Sequence, residues 1–490
     1  MEGTPQSQST PQRRIRSQPV GGVSFALAAV PALAAGLVLR LWMLKVLFIV
    51  NGDALVYGGL AKTLLHGHYE LNWAGGPPVP TLIRLPGYPI FLAFSFKLFG
   101  MENYFAVALL QIVLELLGCL LLAEFAGRIA PPKLKSGARL ATLWLAALCP
   151  FTASYAVVPL TEAPTLFALA LALWAMARFH DRPRWGSALC FTFAVTFAAL
   201  LRPDGALVAV ALAPALLIQM RQQDAPNAMP LKRLVRMTLV CVLLALAPFA
   251  AWTWRNWQVF HVFEPLAPRL ANDPGEDTNP GWERWVKTWC LDFVSTYDIY
   301  WNVPDGPLNL KKVPSRAFDS PAQYAETAAL ADDYNKSGQN LTPEIDARFA
   351  ALAQERIAAH PLRYYVWLPL GRLVDMGLRP RVENLDIDLD WWVYSRHRAE
   401  TRFSLAYAAL NLLYLALAAI GLMLRPRFWK AMLAYIALRS AMLLTVEAPE
   451  ARYTLEWFPM LFVLSGIALY WVMNRVSLSV LKVKASATSA

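Results

Sequence analysis

Long apolar runs separated by short polar turns dominate the chain. Such windows lie near 23–50, 104–127, 138–158, 160–178, 186–201, 204–220, 234–253, 403–424, 429–446 and 456–473. A run of about 20 apolar residues crosses the hydrocarbon core as a helix. The pattern therefore predicts a mainly α, polytopic helical membrane protein with about ten transmembrane helices. Several windows are short, and hairpins such as 138–178 are expected to dip rather than cross fully. The segment near 86–99, which opens on Pro86-Gly87-Tyr88-Pro89, is expected to be re-entrant or interfacial.

Between these blocks, residues 255–402 turn polar and aromatic, with turn signals at Asn272-Asp-Pro-Gly275 and Val303-Pro-Asp-Gly306. That is enough chain for one small core, expected to be mixed but largely helical. Thr342-Pro343-Glu344 reads as an N-cap followed by a first-turn proline and acid, and His360-Pro361 as the end of that helix. Trp282, Trp285, Trp289, Trp301, Trp391 and Trp392 suit either an interfacial aromatic belt or a surface on which sugar rings stack. The expected organisation is a disordered cytoplasmic tail (1–22) and a transmembrane domain (23–254) with a first outer catalytic loop (51–103). An outward domain (255–402), C-terminal transmembrane helices (403–474) and a cytoplasmic tail (475–490) follow.

Composition supports this class: of 490 residues, 57% are hydrophobic and 16% charged, where soluble domains are near a quarter charged. The net charge of +11 lies in alternate short connections. Arg128, Lys133, Lys135 and Arg139 form one collar, Arg221, Lys232, Arg233 and Arg236 another, and Arg425, Arg427 and Lys430 a third, whereas the opposite turns hold few basic residues. The positive-inside rule then places both termini in the cytoplasm and Asp53 on the outer face of the cytoplasmic (inner) membrane. These collars account for the charge as membrane anchors, and no nucleic-acid partner is implied. Cys119, Cys149, Cys190 and Cys241 lie in apolar runs and Cys290 outside them, a pattern that indicates neither a disulfide pair nor a zinc site.

The chemistry-bearing residues gather at outward helix mouths. Asp53 opens an amphipathic stretch, 53–67, with a stripe of Tyr57, Leu60, Ala61 and Leu64 and a closing Gly67. Asp53 reads there as an N-cap, worth about 1 kcal/mol, or as a functional carboxylate; the spacing leaves both open. Arg84 precedes the Pro86-to-Pro89 break. Irregular backbone at membrane depth lines a cavity or packs on protein, so Arg84 reads as a phosphate partner or as an arginine snorkelling to headgroups. Glu162, Arg202 with Asp204, and Glu447, Glu450 and Arg452 sit at other outward mouths, where charges are costly unless paired or facing a cavity. Glu115, inside the second window, needs a partner or a proton.

Asp53-x-x-x-Tyr57, Leu64-Leu-His-Gly67 and Arg84-Leu-Pro-Gly-Tyr-Pro-Ile-Phe-Leu92 with Phe99-Gly100 resemble the membrane glycosyltransferases of the C-type superfamily. The likeness is to the protein-mannosyltransferase and lipid A aminoarabinose-transferase-like group. Thr161-Glu162, Leu201-Arg-Pro-Asp204, Trp254-Arg-Asn256, His360-Pro361 and Glu450-Ala-Arg-Tyr453 follow in the order seen in that group. The resemblance implies an inverting transferase that moves a sugar from a polyprenyl-phosphate donor to a lipid, glycan or protein acceptor. It implies Asp53 as general base and Arg84 as the donor-phosphate contact. Tyr57, Tyr88, Glu162, Arg202 and Asp204 are expected to line the cavity, together with Arg255, Glu450, Arg452 and Tyr453. Many relatives carry a second acid beside the first, but here the neighbour is Ala54, which removes support for a divalent metal and leaves no expected cofactor. The alternatives are a secondary transporter, disfavoured because the halves show no repeat, and a non-catalytic envelope-assembly or lipid-handling protein. Sugar, acceptor and oligomeric state are not legible in the sequence.

Overall fold

The computed structural model describes residues 25–72, 76–221, 229–304 and 306–487; the expected disordered tail, 1–22, lies outside them. Each of the ten apolar windows contains helix among the described residues. Among the described residues six helical segments are long and apolar enough to cross a membrane: Phe25–Leu47 (α1), Tyr104–Ile129, Glu162–Asp181, Leu231–Phe260, Arg398–Met423 and Ala451–Val476. The others are shorter. Gly87–Phe99, Trp185–Leu201 and Trp429–Leu443 are single helices, and the 138–158 window divides into Lys135–Ala147 and Pro150–Ala156. The break comes where Pro150 opens a new helix, since proline lacks the N–H needed to continue one.

In chain order α2 is Asp53–Leu65, α3 Gly87–Phe99, α4 Tyr104–Ile129, α5 Lys135–Ala147, α6 Pro150–Ala156, α7 Glu162–Asp181 and α8 Trp185–Leu201. Small residues are concentrated in α7 within the bundle core. Ala168, Ala170, Ala172, Ala175 and Ala177 of α7 are fully buried, so neighbouring backbones approach closely, as helices do where water provides no driving force. Gly466, in the last spanning segment, is closer still: a Cβ there would stand 2.0 Å from Thr142 Oγ1 and 2.6 Å from its backbone nitrogen.

Glu115 of α4 has its partner in Arg40 of α1; the two side chains form a buried ion pair. Thr152 Oγ1 also donates to Glu115 Oε1 at 2.8 Å, and Arg40 Nη1 donates to the carbonyls of Gly36 (2.8 Å) and Ala147 (2.7 Å). Four helices are thus tied at one buried point.

Residues 280–359 build a second core. Helices Pro280–Lys287, Pro321–Lys336 and Pro343–Ala359 pack around Trp282, Trp285, Trp289, Tyr334, Phe349 and Leu352. Trp282, Trp285 and Trp289 are buried here and belong to neither an interfacial belt nor a sugar-facing surface; their large apolar area is satisfied against Phe349 and one another. Thr342 caps the third helix, accepting from Ile345 N, and the helix ends at His360.

Gly87, the first residue of α3, lies against the end of α8. A Cβ there would be 2.5 Å from the carbonyl carbon and oxygen of Leu200. The Arg84-Leu-Pro-Gly segment therefore approaches the Leu200-Leu201-Arg202 turn as only glycine allows.

Glu115→Ala leaves Arg40 buried and uncompensated. A loss of about 3–5 kcal/mol is expected, read as a lowered unfolding temperature in detergent. The double change Arg40→Leu/Glu115→Leu is expected to recover most of it, and equal losses in the single and double variants would refute the pairing argument.

Candidate functional site

Asp53 begins α2, but its side chain makes no capping bond; Gly52 occupies the N-cap position. The carboxylate instead faces Arg84, whose Nη2 donates to Asp53 Oδ1 at 3.0 Å. On its other side Arg452 Nη2 stands 3.7 Å from Oδ2. Arg84 is fixed from several directions: its Nη1 donates to the Ile83 carbonyl (3.2 Å), its own carbonyl accepts from Tyr69 OH (2.9 Å), and its guanidinium lies over the Tyr57 ring at 5.9 Å.

Arg452 and Arg202 are bridged by Glu162, whose Oε1 is 3.8 Å from Arg452 Nη1 and 3.4 Å from Arg202 Nη1. Arg202 continues to Asp204 (3.3 Å) and Glu456 (3.5 Å). Arg439 closes the network from below, paired with Asp204 and with Glu456 at 3.1 Å, and Tyr435 OH donates to Glu456 at 2.9 Å. Glu450 accepts from Arg452 and from Tyr453 OH. Elements distant in sequence thus place their charges in one connected array. Arg439 and Glu456 escaped the sequence reading, although a fully buried arginine within the 429–446 apolar window is itself a functional signal.

Two cavities meet at Asp53. The first, about 670 Å³, is lined by Asp53, Tyr57, Arg84, Glu162, Arg202, Asp204, Arg269, Arg452 and Tyr453 among others. The second, about 530 Å³, is lined by Asp53 and Arg452 together with Tyr155, Phe293, Tyr297, Trp301, Glu383, Asn384 and Glu450. Their charge balance differs: four arginines face three carboxylates in the first, and one arginine faces three carboxylates in the second.

Two expected lining residues stand elsewhere. Tyr88 is fully buried behind Tyr57, at 5.0 Å between ring centroids, and its hydroxyl donates to Gln111 Oε1 at 2.7 Å. Arg255 donates to the carbonyls of Thr81 and Tyr69, both at 2.8 Å, and packs on Tyr69 and Trp252. Its charge is satisfied in holding the loop before Arg84 against a helix, so it does not reach the cavity.

Burial pushes the Asp53 carboxyl up, but Arg84, Arg452 and Arg202 outweigh it and hold it below its ordinary value. Burial raises Tyr57 to about 12, so it remains a neutral phenol. Burial also lifts Glu383 to about 7, against the opposing pull of Arg379 and Arg381. The donor set of the site does not suit a divalent cation, which requires several oxygen ligands. Asp53 is engaged by guanidinium groups, and its neighbour Ala54 is buried and has no oxygen to offer. Away from both cavities, Asp388, Asp390 and His397 cluster, with each imidazole nitrogen facing a carboxylate at 3.2 and 3.1 Å.

Residues 79–254 match the sequence model of the family described as dolichyl-phosphate-mannose-protein mannosyltransferase. No curated protein sequence matches the chain significantly. Among solved structures, the chain is similar to the Archaeoglobus fulgidus oligosaccharyltransferase tethered with an acceptor peptide containing the NVT sequon. The match has a TM-score of 0.51 at 13% identity, over 93% of this chain and 50% of that one. The archaeal oligosaccharyltransferase AglB from the same organism, in complex with an inhibitory peptide and a dolichol-phosphate, matches with a TM-score of 0.51 at 11% identity, over 94% and 52%. ArnT from Cupriavidus metallidurans bound to undecaprenyl phosphate matches with a TM-score of 0.39 at 15% identity, over 93% and 79%. The chain spans about half the length of the two oligosaccharyltransferase structures.

The depressed Asp53 carboxyl means that its ion pairing stabilises the fold fully above the ordinary value of 3.8 and is lost as pH falls through the lower, folded value. The unfolding-temperature difference between wild type and Asp53→Asn should therefore be flat between about pH 5 and pH 8 and shrink below about pH 4. A difference that instead grows on acidification would contradict the assigned pairing.

Proposed function

We infer that this chain, a polytopic membrane protein with the fold of the C-type membrane glycosyltransferases, transfers a sugar from a polyprenyl-phosphate donor to an acceptor hydroxyl. The observation that carries the reading is the Asp53–Arg84 pair at the junction of two polar cavities with opposite charge balance. The mannosyltransferase family match over 79–254 and the dolichol-phosphate complex of a structural neighbour support the same chemistry.

The donor phosphate belongs in the arginine-rich first cavity, with Arg84 as its nearest cation to Asp53. The acceptor enters from the second cavity. Its oxygen attacks the anomeric carbon as the bond from that carbon to the phosphate oxygen breaks; the acceptor proton passes to Asp53, and polyprenyl phosphate leaves. Attack opposite the leaving group inverts the anomeric configuration. Arg84 stabilises the charge that grows on the departing phosphate, as a preorganised cation does where water is excluded. A further consequence follows from its shared position. When a phosphate draws Arg84 toward itself, the cation holding the Asp53 carboxyl down is diverted, and the carboxylate becomes a better base as the donor binds. Tyr57 and Tyr453 shape the first cavity, while Glu162, Arg202, Asp204, Arg439 and Glu456 keep its charges in place. The alternation of basic connections puts this face outside the cytoplasmic membrane, with both termini inside. Lipid-linked donors are available there, and nucleotide sugars are scarce.

Purified protein given radiolabelled polyprenyl-phosphate sugars and a cell-envelope extract is expected to transfer label. Asp53→Asn should lower the rate by about 10²–10⁴ and Arg84→Gln by about 10²–10³, with the fold intact. Undiminished transfer by Asp53→Asn would sink its assignment as the base.

A further inference from the structure

The second cavity has a character of its own. Phe293 and Tyr297 come from a short helix, Phe293–Ser295, and the π-helical turn Thr296–Tyr300 that follows it, and Trp301 caps the C-terminus of that turn. Phe293 is buried, whereas Tyr297 and Trp301 are 52% and 45% exposed although they line a cavity. Trp301 stands edge-on to Phe293 at 5.5 Å and tilted to Tyr297 at 5.7 Å, so Phe293 supports two open aromatic faces. The platform is anchored to the catalytic side: Thr296 Oγ1 donates to the carbonyl of Pro449 at 3.0 Å, next to Glu450.

The same cavity is lined by polar groups that the transfer step does not use. The Glu383 side chain is 8% exposed, and its Oε1 lies 2.8 Å from Arg379 Nε with no hydrogen bond aligned on it. Asn384 is held by its Nδ2 donating to the Ser154 carbonyl at 3.0 Å. With Asp53 and Glu450, three carboxylates face the single guanidinium of Arg452, which is already engaged by Glu450. A phosphate monoester would find as lining cation only Arg452, already engaged by Glu450 and Asp53. Exposed aromatic rings and carboxylate and amide oxygens in one cavity match a pyranose or furanose ring, whose C–H face stacks while its hydroxyls donate. A carboxylate that lines a cavity favours a partner that brings hydrogen-bond donors.

We propose that the second cavity binds the acceptor as a neutral or amino-bearing carbohydrate, stacked on Tyr297 and Trp301 with a hydroxyl donated to Glu383. Another ring hydroxyl then faces Asp53, so the product carries a new glycosidic bond between two sugars. This rests on the glycosyltransferase reading and specifies its acceptor. The substrate class is set by the side chains of the polar segment, outside the 79–254 region that matches the family.

Saturation-transfer NMR on the full-length protein in nanodiscs tests it. The probes are methyl glycosides of glucose, galactose, mannose, arabinose and N-acetylglucosamine, mannotriose, a Ser/Thr hexapeptide and glucose 1-phosphate. Saturable binding of a neutral glycan is expected, weakened about tenfold by Trp301→Ala and by Glu383→Gln and largely restored in Trp301→Phe. Undecaprenyl-phosphate binding, measured on the same samples by native mass spectrometry, should be unchanged in these variants and weakened in Arg84→Gln. Binding of the peptide or the phosphate in place of the glycans, or of no glycan while undecaprenyl phosphate still binds, overturns the acceptor assignment and leaves the donor reading intact. Failure of the wild type to bind undecaprenyl phosphate removes the reading on which it rests.

Discussion

Charge placed at the edge of a low-dielectric bundle must be compensated, and this requirement organises the protein. Isolated carboxylates and guanidiniums at that depth are prohibitively costly. The array from Arg84 and Asp53 through Arg452, Glu162, Arg202 and Asp204 to Arg439 and Glu456 answers the cost with mutual pairing. Few members have a single partner. Shared pairing holds each group firmly while leaving several able to exchange one partner for another.

The scaffold makes that array possible by bringing distant turns together. Alanine-rich α7 and the Gly466 and Gly87 contacts allow backbone approaches that larger side chains would block. The Arg40–Glu115–Thr152 node ties α1, α4, α5 and α6 deep in the bundle. It serves the site indirectly, since α1 leads into Asp53 and α6 toward Glu162. The second core, around Trp285 and Phe349, supports the aromatic platform on the far side of Asp53. One body supplies the cationic cavity and the other the aromatic wall of the second, with Asp53 where the two cavities meet.

Asp53 illustrates how a local signal can be ambiguous in meaning. An acid at a helix start is equally consistent with capping and with chemistry. The structure separates the two because Gly52 takes the cap position and the carboxylate turns to Arg84, 31 residues onward. Arg255 illustrates the reverse. It sits in a motif that resembles the family's, yet its guanidinium is consumed by two backbone carbonyls of the loop that carries Arg84. The tryptophans of 282–289 were open to two surface roles and serve a core instead, because their spacing of three and four marks one face of a helix but not what that face packs against.

Solvent preference is legible along the chain: which segments are apolar enough for lipid, which connections carry the basic collars, and where charged helix mouths gather. Hydropathy and charge act residue by residue, so a linear reading captures them. Pairing does not. That Glu115 meets Arg40, that Arg439 pairs with Asp204 and that Glu383 and Trp301 line one cavity depend on the meeting of residues tens to hundreds of positions apart. These come from the folded arrangement, because compensation of a buried charge is a property of its three-dimensional surroundings.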